Sequence, residues 1–266
     1  MSTGAPFSSL IESIERATVA AVPPDTLDTL PGWLLPLDGG TVGRAHSAVP
    51  LTHEAPDLAL LPRIEARYEA QGLPPVFRLP AEHPAFEAFG AALRERGYTP
   101  TQATLVMQGS TQRMAASGDS AGVQVDAVPQ PDWSRIYLGE GFDATDGAHR
   151  VRLLQRAQDA VYVSLRVPEG EPGAGTVAAV GCACFAEGWA GVHGMRTRPM
   201  YRGRGYARRI LAAMGQAALA RGLARAFLQV EIENQLARAL YGRTGFEPMW
   251  TYVYWRRPLG RAVDRP

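Results

Sequence analysis

The sequence predicts an α/β protein, a mixed antiparallel and parallel sheet flanked by helices, built as two tandem halves. Three observations carry that expectation. Alternating apolar strands form a meander over residues 160–197, after which helix and strand alternate to the end of the chain. The two halves share a closing pattern: residues 91–100 and 239–248 each read as a helix stopped by glycine, then an aromatic, a proline and an apolar strand. Finally, 266 residues allow one large domain or two small ones, and 46% hydrophobic against 20% charged side chains supply ample apolar material for a packed core.

In the first half the periodicity predicts strands at 32–37 and 41–49, a helix at 57–71 and a short strand at 76–79. A helix at 83–96 and a strand at 103–107 follow. The polar, glycine- and serine-bearing stretch 109–122 reads as an interdomain linker, giving domains 1–115 and 123–258. The second half opens with a strand at 123–128 and helices at 133–139 and 147–157. Strands at 160–167, 176–185 and 190–197 come next, then a helix at 205–221, a strand at 226–232, a helix at 234–243 and a strand at 251–255.

Composition excludes several classes of function. Twenty-seven basic against 26 acidic residues, a net charge of +1, argue against a nucleic-acid or membrane-surface binder. No run approaches the ~20 apolar residues of a membrane helix. Residues 1–16 lack the basic start and apolar run of a leader, so the expected location is cytoplasmic. Cys182 and Cys184 fall on one face of a strand and read as core filler, not as a disulfide framework or a zinc site. No metal is expected, since His46, His53, His83 and His149 are scattered without ligand spacing. Every basic residue is arginine, which rules out a Schiff-base or Walker-type lysine.

The segment that carries chemistry is Met195-Arg196-Thr197-Arg198-Pro199-Met200-Tyr201-Arg202-Gly203-Arg204-Gly205-Tyr206-Ala207. A strand ends, a glycine-interleaved turn follows, and a helix begins with Ala207, Ile210, Leu211, Met214 and Ala218 as its apolar stripe. Such a helix start presents unspent N–H groups and the positive end of the dipole to one point. The glycines let oxygens approach the backbone. Residues 196–225 hold eight arginines and no acidic residue, so an anionic ligand is expected. A dinucleotide-binding Rossmann turn fits less well, because the third glycine and the acidic residue ~20 positions on are missing.

Residues 202–207 resemble the acyl-CoA pyrophosphate motif of the GNAT acetyltransferase superfamily, Gln/Arg-x-x-Gly-x-Gly/Ala. Residues 234–246, Asn-Gln-Leu-Ala-Arg-Ala-Leu-Tyr-Gly-Arg-Thr-Gly-Phe, resemble its Asn-x-x-Ala-x-x-Leu-Tyr-x-x-x-Gly-Phe signature. The resemblance covers residues 123–258, and the first half matches tandem members whose first domain has lost the motif. It implies two GNAT-like domains, with acetyl-CoA as co-substrate held by Met195, Arg196 and Thr197 and by Arg202, Gly203, Arg204, Gly205, Tyr206, Ala207 and Arg208. Asn234 would contact the pantetheine or a water, and Tyr241 would act as general acid toward the leaving thiolate. The acceptor would be a small-molecule or peptide amine attacking directly, with a backbone N–H stabilising the oxyanion. Glu231, Glu187 and His193 are candidate bases.

At 100° per residue, Asn234, Arg238 and Tyr241 share one face of their helix while Leu236, Ala239 and Leu240 lie on the other. That predicts Tyr241 on the polar side, away from the helix's own core stripe. Tyr252 and Tyr254 share a strand face, as cleft lining or as a half-buried strand would. The first half should bind no acyl-CoA, because Leu93 stands opposite Tyr241 and residues 51–57 contain no glycine. Two alternatives compete with an enzyme: a non-catalytic acyl-CoA sensor or partner-binding module, and an arginine-rich RNA contact on the same fold.

Overall fold

The computed structural model describes residues 4–258; of the 1–16 stretch read for a leader, residues 1–3 lie outside the described residues. Along the chain run α1 (Gly4–Ala21), β1 (Thr26–Leu30), β2 (Trp33–Leu37), β3 (Val49–Pro50), α2 (Leu60–Glu69), β4 (Phe77–Pro80) and α3 (Glu87–Glu95). Then come β5 (Thr99–Ser110), α4 (Thr111–Ala115), β6 (Val123–Asp126), α5 (Pro131–Leu138), α6 (Ala144–Gln155), β7 (Ala160–Arg166) and β8 (Val177–Ala186). The chain continues with β9 (Trp189–Thr197), α7 (Tyr206–Leu219), β10 (Arg225–Glu231), α8 (Gln235–Arg243) and β11 (Glu247–Arg256).

Two compact units emerge, and neither is one continuous piece of sequence. Among the described residues the first holds 4–12, 24–104 and 250–258, and the second holds 13–23 and 105–249. The chain thus changes unit inside α1, again just before β1, inside β5 and inside β11, where the sequence reading placed a single boundary in 109–122. That stretch is not a flexible linker. It finishes β5, forms α4 with Thr111 and Met114 buried, and packs on α7. Its small residues serve close approach: a Cβ on Gly215 of α7 would lie 2.4 Å from the backbone nitrogen of Ala115. Gly215→Ala should therefore lower stability by roughly 1–3 kcal/mol through overpacking, read as an earlier midpoint in chemical denaturation.

In the first unit, β1, β2 and β3 form an antiparallel sheet, and β4 pairs antiparallel with residues 252–255 of β11. Trp33, Leu35, Ile64, Phe77, Phe89, Leu93, Tyr98 and Trp255 fill its core. The strand expected over 41–49 survives only at Val49–Pro50. A 3-10 turn at Gly43–Ala45 interrupts that stretch, and Gly43 lies under the Tyr254 ring, where a Cβ would meet it at 2.8 Å.

The second unit carries the order β5-β10-β9-β8-β7-β6, antiparallel from β9 to β6 and parallel between β10 and β9. One face is covered by α7, whose Ile210, Leu211, Met214 and Ala218 are buried as their spacing predicts. The other face receives residues 13–21 of α1, where Ser13 accepts from the Trp189 indole (2.9 Å) and Thr18 accepts from the Gln229 amide (3.0 Å).

The internal repeat shows in the structure at two matched helix stops. Tyr98 N–H donates to the Leu93 carbonyl (3.1 Å) and Phe246 N–H to the Tyr241 carbonyl (3.0 Å), the same helix stop at the same place in each half. A second matched pair precedes it: Leu73 donates to Tyr68 (3.0 Å) and Leu223 to Ala218 (3.1 Å). The first pair is offset by 148 residues (246 against 98) and the second by 150 (223 against 73). At the second offset the counterpart of Arg202 is Thr52, and residues 52–57 contain no glycine.

Candidate active site

After β9, residues Pro199–Tyr201 form one 3-10 turn and lead into the glycine pair. Gly203 and Gly205 have φ of +78° and +79°, a left-handed conformation that costs other residues roughly 1–2 kcal/mol. Gly205 is the N-cap of α7, and no side chain caps the helix there. The first N–H used within this helix start is that of Arg208, donated to the Gly205 carbonyl at 3.0 Å. The donors ahead of it are the orphan amides of a helix N-terminus, aligned with the positive end of the dipole. Buried Tyr201 and Tyr206 support the turn from below.

The eight arginines are less concentrated on this point than their spacing implies. Arg204 is paired with Glu171 at 2.8 Å, and the same carboxylate oxygen accepts from Tyr206 at 3.4 Å. Arg221 forks onto Asp159, Arg225 stacks on Trp189 (4.4 Å), and Arg209 donates to the carbonyls of Asp119 and Ala121. Arg196 donates to the Leu138 carbonyl at 2.8 Å and Arg202 to Thr197 at 3.4 Å. Arg208 stands exposed on the first turn of α7. What the turn presents to an anion is thus mainly backbone amides.

Beside the turn the sheet opens. The parallel ladder joins residues 225–228 of β10 to 189–192 of β9. Past it, β9 runs on to Thr197 and β10 to Glu231, so the backbone edges of Met195, Arg196 and Thr197 face an open seam on the β10 side. Within that stretch β9 is bulged: Arg196 faces Val180 and His193 faces Cys182, one residue more on β9 than on β8. Gly194, at φ +60°, takes up the extra residue.

On α8, Asn234 is the N-cap, its side-chain oxygen accepting from Ala237 N–H at 3.1 Å. Tyr241 is 8% exposed and belongs to the core beside Phe246 (ring centroids 6.0 Å). This corrects the helical-wheel reading. Tyr241 is buried, whereas Leu236, assigned to the core stripe, is 82% exposed and Ala239 is exposed too. Burial does not follow the two wheel faces: Asn234, on the Tyr241 face, is exposed, and Leu240, on the other, packs against the core. Burial pushes the Tyr241 hydroxyl up to about 12, so it holds its proton throughout the neutral range. A cleft of about 350 Å³ opens on a neighbouring face of α8, between Arg238, Gly242, Met107 and Phe246.

The candidate bases separate in space. Glu187 sits in the β8–β9 turn at φ +52°, roughly 23 Å of extended strand from Gly194, and so lies far from the bulge. His193 is buried next to the bulge with its ring edge-on to Phe227 (5.9 Å), and Glu231 is exposed at the end of β10. Tyr252 and Tyr254 are 3% and 4% exposed and packed edge-to-face within their unit, which makes them strand core rather than cleft lining. Cys182 and Cys184 are both buried, and burial raises the Cys184 thiol to about 12, as core filler should be. Sequence reasoning missed α1, whose Ile11, Ile14, Thr18 and Ala21 are buried at helical spacing.

A parallel seam, a bulged strand and a glycine turn at a helix head define, by fold, an acyltransferase of GNAT type. The family model described as "Probable histone acetyltransferase Rv0428c C-terminal" matches residues 8–255, and the chain belongs to that family; it is an N-acetyltransferase of the GNAT superfamily. The Bacillus subtilis protein named "Uncharacterized N-acetyltransferase YobR" is 24% identical over 249 residues, spanning 92% of this chain and 97% of that one. A GCN5-related N-acetyltransferase from Kribbella flavida superposes with TM-score 0.66 at 20% identity, over 99% of both chains. A tandem GNAT protein from the clavulanic acid biosynthesis pathway superposes with TM-score 0.58 at 13% identity, over 98% of both. No helix among the described residues is long and apolar enough to cross a membrane.

Proposed function

We propose that the second unit transfers an acetyl group from acetyl-CoA to a primary amine, with Tyr241 as proton donor to the departing thiolate. The observation that carries this reading is the pair of left-handed glycines at the head of α7 beside the open seam of β9. Acetyl-CoA supplies the acyl group as an activated thioester. The amides of residues 203–207, with Arg202, Arg204 and Arg208 around them, hold its pyrophosphate. Met195, Arg196 and Thr197 offer backbone groups along the seam for its pantetheine arm, as an added strand would take them. Asn234, its oxygen spent on the cap, keeps its amide NH2 for the same arm.

The amine nitrogen attacks the acyl carbon, and the carbon–sulfur bond breaks. A backbone N–H at the bulge stabilises charge developing on the acyl oxygen. The sulfur takes the Tyr241 hydroxyl proton, and the nitrogen gives up one proton to His193 or Glu231, directly or through water. The experiment is calorimetric titration of the intact chain with acetyl-CoA, followed by CoA release in the presence of primary amines.

The first half lacks the equipment for a second site. Residues 52–57 carry Pro56 and no glycine, and α2 starts only at Leu60, about a turn later than α7 does in the repeat alignment. The first-turn amides that would receive a pyrophosphate are therefore not presented there, and Leu93 replaces the proton donor. Titration is expected to give one acetyl-CoA per chain. A second equivalent that persists when Gly205 is replaced would contradict this assignment.

A further inference from the structure

The C-terminal end of α5 is fastened onto the bulge of β9, on the sheet face opposite α7. Gly181 and Cys182 are consecutive on β8 and so point to opposite faces. A Cβ on Gly181 would meet Met214 and Ile210 of α7, whereas a Cβ on Gly194 would meet the Cys182 sulfur at 3.5 Å and the Tyr137 ring at 3.2 Å. Tyr137 therefore lies directly on the bulge, from the side that the cofactor turn does not use.

Three contacts hold it there. Its ring stacks on Trp133 at 5.0 Å and 24°. Trp133 is 2% exposed, donates its indole N–H to the Gly181 carbonyl at 3.0 Å, and is met edge-on by Tyr162 at 5.2 Å. The third contact comes from the site strand itself, where Arg196 donates to the carbonyl of Leu138, the residue after Tyr137, at 2.8 Å. The following Gly139, at φ +83°, leaves room for that guanidinium. The side chain of Arg196 is thereby committed to α5 rather than to a phosphate.

Resting on the acetyltransferase reading above, we propose that Tyr137 forms the acceptor-side wall of the site and that Arg196 is the latch that positions it. With the pyrophosphate turn on the α7 face, an amine must reach the acyl carbon from the α5 face, across the Tyr137 ring. The acceptor arrives as an ammonium, which an aromatic ring attracts; it gives one proton to solvent to become the free amine that attacks, and the second goes to the base named above as the amide forms. The same ring keeps water off the bulge. Tyr137 contacts the acceptor; Arg196 is a positioning residue.

The test uses the intact chain, with linear alkylamines, benzylamine and spermidine as probes, and with no amine at all. Y137A should raise the KM for amine roughly tenfold and speed acceptor-independent CoA release several-fold, while acetyl-CoA affinity stays within about twofold. Y137F should behave as wild type, because the ring and not the hydroxyl is the wall. R196Q should reproduce the Y137A pattern in weaker form, and R196K, which can still donate to Leu138, should recover part of it. Y137A that leaves both amine KM and CoA release unchanged overturns the proposal. So does Y137A that weakens acetyl-CoA binding in step with amine KM, which would mark a purely structural role. A wild-type chain that binds no acetyl-CoA instead removes the acetyltransferase reading, and this proposal with it.

Discussion

Replacing Gly205 with valine is expected to lower acetyl-CoA affinity by roughly 10²-fold, because two costs add at one residue. Gly205 sits at φ +79° as the N-cap of α7, where a β-branched side chain is a genuine outlier. The nearest protein atom to a Cβ there is an Arg208 nitrogen at 3.6 Å, so the substitution meets no clash and the fold should persist. What changes is the backbone: relief of the strained φ turns the first amides of α7 away from their common point, and the donors of charge-assisted hydrogen bonds are lost together. Gly205→Asn separates the contributions, since asparagine tolerates the left-handed region while still adding a side chain at the approach. It should lose less affinity than valine. Calorimetry on folded variants, checked by circular dichroism, reads the result; wild-type affinity in the valine variant would sink the assignment of this turn. Arg204→Gln and Arg208→Gln should cost less, one guanidinium being already paired with Glu171 and the other exposed to screening salt.

How much of this was legible in the sequence depended on whether the signal was local. The turn at 202–207 was, as a conformation: two glycines between a strand and a helix favour left-handed backbone, and the structure gives both a positive φ. Gly97 and Gly245 were legible as helix stops for the same reason. Local patterning failed where a partner outside the window decides the outcome. Gly109 to Gly122 looks like a linker until Gly215 shows that small residues there allow two helices to touch. Leu236 and Tyr241 of α8 were misplaced because leucine is the more apolar, yet the core receives the tyrosine. The arginine run looked like one electrostatic site, but Glu171, Asp159, Trp189 and the Leu138 carbonyl had each claimed one. The division of the chain inside β5 and β11 was beyond reach, since a strand that starts in one unit and ends in another carries the same alternation throughout.

Tyr241→Phe is expected to reduce kcat by roughly 10²-fold, the lower end for a lost general acid, or about 2.7 kcal/mol of transition-state stabilisation. The substitution removes one oxygen and keeps the ring that packs near Phe246, so the core of the second unit should be retained. Acetyl-CoA affinity should stay near wild type, because proton donation matters only as the sulfur leaves. The pH profile supplies a second, independent reading. Burial raises the hydroxyl from its ordinary value near 10 to about 12, and a donor works only below its pKa. The upward shift therefore extends the active range toward alkali, and kcat should show no alkaline fall up to about pH 10, the range where an exposed tyrosine begins to ionise. On the acid side the rate should fall as the base takes up a proton, and that limb should survive in Tyr241→Phe because a different group sets it. A phenylalanine variant with wild-type turnover would leave Tyr241 as packing beneath the seam and move the proton donor to solvent water.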